Sequence, residues 1–258
     1  MKLGFFTMPI HPLEKDWRLS LKEDREAFLL ADELGFTEGY VGEHVTDQAE
    51  NITSCVAFLA WIAAATRQIK LGTGTINMPN THPATVAASI AMLDHMLGGR
   101  LIFGISPGGL LSDAELFGNL DADRNAMFLE AINQVLNIWE SEPPYNIQGQ
   151  YWNISTEKTL MRDVGQGIIA RPLQRPHPPI VVTAVAPFSK GVTAAAARGW
   201  DWRVELVSNP DPVLAASDEV VATADSVILD RCERWVNLAR LVVAARVPGA
   251  SVVDLSAP

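Results

Sequence analysis

The sequence predicts an α/β fold, a parallel sheet of βα units of the (β/α)8 TIM-barrel type, on three observations. Short apolar runs bounded by glycine alternate with longer stretches of helical period, the pattern of strands each followed by a crossover helix. The residues just after the apolar runs are polar or glycine-rich, and in parallel (β/α) folds ligands gather at that end of the strands. The length, 258 residues, suits either one barrel domain or two small domains, and one domain is the starting assumption.

Taken in order, strands are predicted at 3–7, 39–42, 69–76, 101–105 and 180–184. Between the first two, LKEDREAFLLADELG reads as an amphipathic helix. Ala27, Leu30, Ala31 and Leu34 form the stripe that would meet the sheet, and Gly35 is its C-terminal stop. NITSCVAFLAWIAAAT and HPATVAASIAMLDHML are the next two helices, the latter with Pro83 in the first turn, where a missing N–H has no intrahelical role. A long helix over about 121–140 follows the fourth strand. Pro143 and Pro144 end it, and YNIQGQYWNIS alternates like a hairpin around Gly149, so that about 141–178 is an insertion between barrel units. The run PLQRPHPPIVVTA then returns the chain to a buried strand: Pro178 and Pro179 restrict the approach, and 180–182 is apolar and β-branched.

The formal net charge of −10 offers no field for a phosphate backbone or anionic lipid, which argues against nucleic-acid and membrane-surface roles. CVAFLAWIAAA, residues 55–65, is far shorter than the roughly 20 residues that span a bilayer, and the N-terminal run is broken too soon by Pro9 and Pro12 to be a secretory signal. Cys55 and Cys232 stand apart from one another and from any CxxC or Cys/His cluster, against a disulfide framework or a zinc site. A cytoplasmic location is expected.

Four strand ends carry the candidate chemistry. The second closes in Glu43-His44, the third in Thr73-Gly74-Thr75-Ile76-Asn77, the fourth in Ser106-Pro107-Gly108-Gly109, and the fifth in Ala186-Pro187-Phe188-Ser189 ahead of a helix. An imidazole at the position of His44 can donate a hydrogen bond or exchange a proton; taken alone it reads equally as a satisfied structural residue. Glu43 either orients it or closes a surface salt bridge. Phe188, Ser189 and Lys190 open a helix whose N–H groups suit a phosphate, with Ser189 as ligand or simply as N-cap. His11, His82, His95 and His177 share no metal-ligand spacing and read as structural, so no metal site is expected. The tryptophans are assigned to core and pocket walls.

GFFTMP at the start, GYVGEH ending the second strand, LGTGTINMPNTHPATVA, LDHMLGGRLIFGISPGG, and PHPPIVVTA with AAAARGW behind it follow one another across residues 1–200. On these strings the chain resembles the bacterial-luciferase-like flavin-dependent monooxygenases, and within them the alkanal and limonene monooxygenase subgroup. The resemblance implies reduced FMN delivered by a separate flavin reductase, reaction of that flavin with O2, and oxidation of a small apolar substrate such as an aldehyde or terpene. A deazaflavin used for hydride transfer, as in some relatives, is the alternative.

The same resemblance places the family's catalytic histidine at His44. It puts a bulge behind the flavin ring, often with a non-proline cis peptide, at Gly74 and Thr75, where glycine admits close approach of a planar ligand. Asn77 would meet the pyrimidine edge of the flavin or cap a turn, and Arg124 matches an arginine that reaches the phosphate. Ser106 falls at the family's reactive-thiol position and Asp113 matches an acidic residue nearby, each chemical or structural. The candidate cofactor set is thus Gly74, Thr75, Asn77, Ser106, Arg124 and Ser189. Two positions depart from luciferases: Pro107 stands where they carry a second phosphate-binding arginine, and Ala186 replaces a hydroxyl residue. Dimerisation through the first helices is a family expectation.

Beyond Asp201 the composition shifts: the segment is rich in Val, Ala and Arg and lacks Lys, Phe, Tyr and Met. Residues 1–200 are therefore read as the barrel core and 201–258 as a divergent or truncated tail. DWRVELVSN is a candidate sixth strand and CERWVNLARLVVAAR a helix. A barrel left incomplete by this tail gives a further reading of another class, a non-catalytic flavin-binding remnant.

Overall fold

The computed structural model describes residues 3–184, residue 198, and two further strands at 201–204 and 227–229. Strand β1 (Leu3–Thr7) leads to α1 (Trp17–Glu33), β2 (Glu38–Val41), α2 (Cys55–Ala63), β3 (Lys70–Thr73), β4 (Ile76–Asn77), α3 (Pro83–Met96) and β5 (Leu101–Ser106). Then come a short α4 (Leu111–Leu116), α5 (Arg124–Glu140), the strands β6 (Asn146–Ile147) and β7 (Ile154–Ser155), and β8 (Ile180–Ala184), β9 (Asp201–Val204) and β10 (Val227–Leu229). The main sheet is parallel throughout, in the order β10-β1-β2-β3-β5-β8-β9, with β4 also pairing β5. Consecutive strands joined by helices and paired side by side are the topology expected of a (β/α) barrel.

Strand alternation divides the core in two. One face of the sheet sends Val41, Leu71, Leu101, Phe103, Ile105, Ile180 and Val182 into a cluster with Phe28, Leu59, Ile90 and Ile132 of the helices. The alternate residues Phe6, Tyr40, Ile102 and Val181 gather with Met8 in a separate, smaller cluster. Gly72 belongs to that second face, where a Cβ would stand 2.3 Å from the Tyr40 ring, so the sheet closes over tyrosine only because this position lacks a side chain.

Helix α1 corrects the predicted stripe. Leu30 and Leu34 are half-exposed and Ala27 is exposed, while Ser20, Asp24, Phe28, Ala31 and Asp32 turn inward. A polar stripe can be buried here because its carboxylates are answered. Asp24 meets His11 Nε2 at 3.0 Å, and Asp32 accepts the backbone N–H groups of Arg67, Gln68 and Ile69 at 2.8, 3.0 and 2.7 Å, which ties α1 to the turn before β3. Burial pushes the Asp32 carboxyl up, but those three donors and the Arg100 guanidinium outweigh it and leave it below the usual range.

The hairpin read around Gly149 is present as β6–β7, held to α5 by the Glu130 carboxylate, which accepts the N–H groups of Gln150, Tyr151 and Trp152 at 2.8 to 2.9 Å. Helix α4 was not anticipated. The candidate sixth strand is β9, and β10, further along the tail, lies beside β1. Among the described residues no pairing joins β9 to β10. The helix predicted at CERWVNLARLVVAAR lies outside the described residues, as does the one opened by Phe188, Ser189 and Lys190. Among the described residues no helix is long and apolar enough to cross a membrane.

Candidate functional site

The third predicted strand, 69–76, is two strands separated by a bulge. Gly72 faces Ile102 and Ile76 faces Ile105, so four steps along β3–β4 match three along β5. The Gly74–Thr75 peptide within the bulge is cis. Gly104, opposite, would normally give its N–H and C=O to the neighbouring strand. Both go instead to one side chain: the Thr73 hydroxyl donates to Gly104 O at 2.7 Å and accepts from Gly104 N at 2.8 Å. Gly104 must lack a side chain, since a Cβ would stand 1.9 Å from Thr73 O.

Beyond the bulge the candidate residues form one chain of hydrogen bonds. Thr75 Oγ1 donates to Ser106 Oγ at 2.7 Å, Ser106 Oγ donates to Asn77 Oδ1 at 3.0 Å, and Gly108 N donates to the same serine at 3.1 Å. Asn77 Nδ2 donates in turn to Glu43 O at 3.3 Å. The structure thus brings Gly74, Thr75, Asn77 and Ser106 together. Asn77 is buried with both ends of its amide engaged by protein.

Glu43 takes neither of the parts foreseen for it. Its carboxylate turns to α2, accepting from Cys55 N and Cys55 Sγ, both at 3.0 Å, and from Asn77 N at 3.4 Å. Burial raises its pKa in spite of those donors, with the Asp113 charge adding to the rise. The Cys55 thiol, fully buried beside this carboxylate, is pushed well up by burial first and by Glu43 second, which leaves it an unreactive thiol.

His44 opens the loop after β2, its N–H donating to Ile52 O at 3.1 Å. Nδ1 lies 2.6 Å from Glu50 Oε2, an ion-pair contact, and neither atom is reached by solvent or has a hydrogen-bond partner. Nε2 has no hydrogen-bond partner among the described residues. The Glu50 carboxylate raises the imidazole pKa; burial works against it, and Asp113 and Asp47 add smaller favourable charge. Asp113, on α4, fixes the loop by accepting from Thr46 N (2.8 Å), Thr46 Oγ1 (2.5 Å) and Val45 N (3.2 Å). His44, Asp47 and Glu50 offer ligand atoms within 4.8 Å of one another, but Asp47 Oδ1 is engaged by Ala49 N and Glu50 N in its own turn.

Arg124, the first residue of α5, is half-buried; its Nη1 donates to Gly108 O at 3.2 Å and it meets no carboxylate among the described residues. A half-buried guanidinium with its charge unanswered, at the start of a long helix, fits a phosphate. Ser189 lies outside the described residues. The remaining histidines hold structure: His11 pairs with Asp24, His82 caps α3 by accepting from Ala84 N, His95 meets Arg171 O and His177 meets Pro178 O. Sequence reasoning missed Glu50 and Thr73. The signal for Thr73 was its place in the glycine-rich LGTGTIN string; for Glu50, one of several acids in a polar loop, nothing in the spacing singled it out.

The family model for luciferase-like monooxygenases matches residues 1–205, and one for a domain of unknown function matches residues 189–241. The 4-hydroxyprotoasukamycin monooxygenase of Streptomyces nodosus subsp. asukaensis is 32% identical over 162 residues, 63% of this chain and 44% of its own. Limonene 1,2-monooxygenase of Rhodococcus erythropolis is 35% identical over 139 residues, 54% of this chain and 36% of its own. The F420-dependent glucose-6-phosphate dehydrogenase of Kineococcus radiotolerans is 27% identical over 177 residues, 66% of this chain and 48% of its own. The chain spans less than half the length of these three curated relatives. A solved structure, the oxygenating constituent of 3,6-diketocamphane monooxygenase from Pseudomonas putida in complex with FMN, superposes with a TM-score of 0.75 at 24% identity. It covers 88% of this chain and 64% of its own, a likeness of fold.

Proposed function

Because the chain belongs to the luciferase-like monooxygenase family, we propose that it is the oxygenating part of a flavin-dependent monooxygenase acting on a small apolar substrate such as an aldehyde or terpene. The observation that carries this reading is a pair of uncommitted groups at the strand ends: the Arg124 guanidinium, with no carboxylate to answer it, and His44 Nε2, with no protein partner, each among the described residues. Bound reduced FMN would supply the reaction with O2. Arg124 would hold its phosphate, with Ser189 as the second phosphate residue. Gly74 and Thr75 would form the wall behind the ring, braced through Ser106 and Asn77. His44 Nε2 would hold or move the proton at the reacting oxygen. The relatives support the wider scheme: an oxygenating constituent implies a separate reductase, and limonene is an apolar terpene.

The reading takes residues 1–200 as the barrel core and places the protein in the cytoplasm. A homodimer is supported by the apolar residues left half-exposed on three successive helices: Leu30 on α1 and Leu34 at its C-cap, Trp61 on α2, and Met92 and Met96 on α3. The F420-dependent relative favours a second reading, hydride transfer with a deazaflavin, which an absence of substrate-dependent O2 consumption would support.

The test is a titration of the purified chain with FMN and with riboflavin, repeated on Arg124→Ala. The substitution is expected to weaken FMN more than riboflavin, because a charge-assisted phosphate bond is lost only with FMN. Equal weakening of both would make Arg124 structural and remove the main support for the cofactor site.

A further inference from the structure

The Nδ1 side of His44 faces one group. Glu50 reaches back across the loop after β2 to place Oε2 2.6 Å from Nδ1, an ion-pair contact between two atoms sealed from solvent, neither of which has a hydrogen-bond partner. The other acids near the ring are committed elsewhere. Glu43, its chain neighbour, is turned to Cys55 and Asn77. Asp113 of α4 accepts from Val45 N and from Thr46, and Asp47 closes its own turn with Ala49 N and Glu50 N. The backbone on both sides of the pair is also held: His44 N donates to Ile52 O at 3.1 Å, so the segment between the two residues is folded back on itself and carries Glu50 to the ring.

We propose that Glu50 is the positioning residue of His44, holding the proton of the neutral ring on Nδ1 and so presenting Nε2, unprotonated and unpartnered, to the reaction space at the strand ends. The proposal rests on His44 having the role assigned to it above. Which imidazole nitrogen carries the proton is set by the partner of the other. An isolated neutral imidazole has no such bias toward Nδ1–H, so an acid fixed on Nδ1 converts a flexible loop histidine into a group with one working nitrogen. The same carboxylate keeps the ring charged to higher pH, with Asp113 and Asp47 as the weaker acidic neighbours.

The experiment uses the full chain, chelator-treated, with 15N-labelled histidine, and reads the two ring nitrogens of His44 across a pH titration; His44→Ala assigns the signal. The wild-type ring is expected to show the Nδ1–H form once neutral, and Glu50→Ala to lose that form and titrate at lower pH. Glu50→Gln, which keeps an acceptor without the charge, is expected to retain Nδ1–H while titrating at lower pH than the wild type. Turnover with reductase-supplied FMN is expected to fall about 10- to 100-fold in Glu50→Ala, less than in His44→Ala, with the acidic limb of its pH profile displaced in the same direction as the ring titration. An unchanged tautomer and titration in Glu50→Ala overturns the proposal. If ring and titration respond as expected while neither Glu50→Ala nor His44→Ala alters turnover, the pairing stands and the functional reading fails.

Discussion

Replacing Thr73 by valine removes one hydroxyl at nearly constant volume from a fully buried position, so the change isolates hydrogen bonding from packing. That hydroxyl serves both polar groups of Gly104, at 2.7 and 2.8 Å, where the bulge has taken the strand partner away. Valine would leave a buried N–H and a buried C=O without partners, at about 1–3 kcal/mol each, so a loss of about 2–6 kcal/mol is expected. Serine keeps the hydroxyl and deletes a methyl, for which about 1 kcal/mol is expected. Urea unfolding followed by circular dichroism and tryptophan fluorescence measures both, and with m values of about 1–3 kcal/mol/M the valine midpoint should fall by about 1 M or more. Because Thr73 anchors the bulge that leads to Thr75 and Asn77, FMN affinity should fall in the same order, valine below serine. A valine variant as stable as the serine one would refute the reasoning, for then the hydroxyl is not replacing the ladder.

His44→Ala should lower turnover by about 10²-fold or more while preserving the fold, as stopped-flow oxidation and circular dichroism would show. The pH dependence of stability should carry the His44 pair with a definite sign. A histidine whose folded pKa is raised stabilises fully below its unfolded value of about 6.5, and that stability fades as pH climbs through the folded pKa, so His44→Ala should flatten the stability profile on that limb. Asp32→Ala should unfold more easily than wild type at neutral pH, by about 1–3 kcal/mol for the stranded, buried N–H of Ile69, the N–H groups of Arg67 and Gln68 being nearer to solvent. Its folded pKa is lowered, so the wild-type advantage is present above about pH 3.9 and disappears as pH falls through the folded value; melts at neutral and acid pH check this.

The strands were legible because a parallel sheet buried on both faces needs continuous apolar segments, and β1 and β8 appear at the residues predicted. The third strand was read as unbroken because LGTGTIN carries no stop signal other than glycine, and the device that permits the break, a side-chain hydroxyl standing in for backbone, has no periodicity. Helix α1 was found, but its inward face was not. The apolar residues Leu30 and Leu34 outvoted Asp24 and Asp32 in any hydropathy count, and only the distant partners of those carboxylates, at His11 and at 67–69, make their burial favourable. His44, Gly74, Thr75, Asn77, Ser106 and Arg124 entered as candidates through resemblance to a family. Glu50 was not, because its importance comes from a loop conformation that returns it to His44.

How polar groups are spent separates the residues that build this site from those left to act in it. Asn77 uses both ends of its amide on Ser106 and Glu43, Ser106 links Thr75 to Asn77 and also receives Gly108 N, and Asp113 holds Val45 and Thr46. A group whose bonds are already made inside the protein gains little from a ligand, since any new bond must displace an existing one. Such residues fix shape, and their replacement should loosen the site without selecting between ligands. His44 and Arg124 are placed differently: each side chain is held by one contact, to Glu50 and to Gly108, and keeps a polar end that the described protein does not answer. Leaving those ends unanswered is unfavourable in the empty fold and becomes favourable only when a ligand arrives. The prediction that separates the two classes is therefore one of sign: Arg124→Ala should cost ligand affinity while leaving the unfolding midpoint nearly unchanged, whereas Asn77→Ala should lower both. Equal losses of stability in the two variants would show that Arg124 is part of the frame.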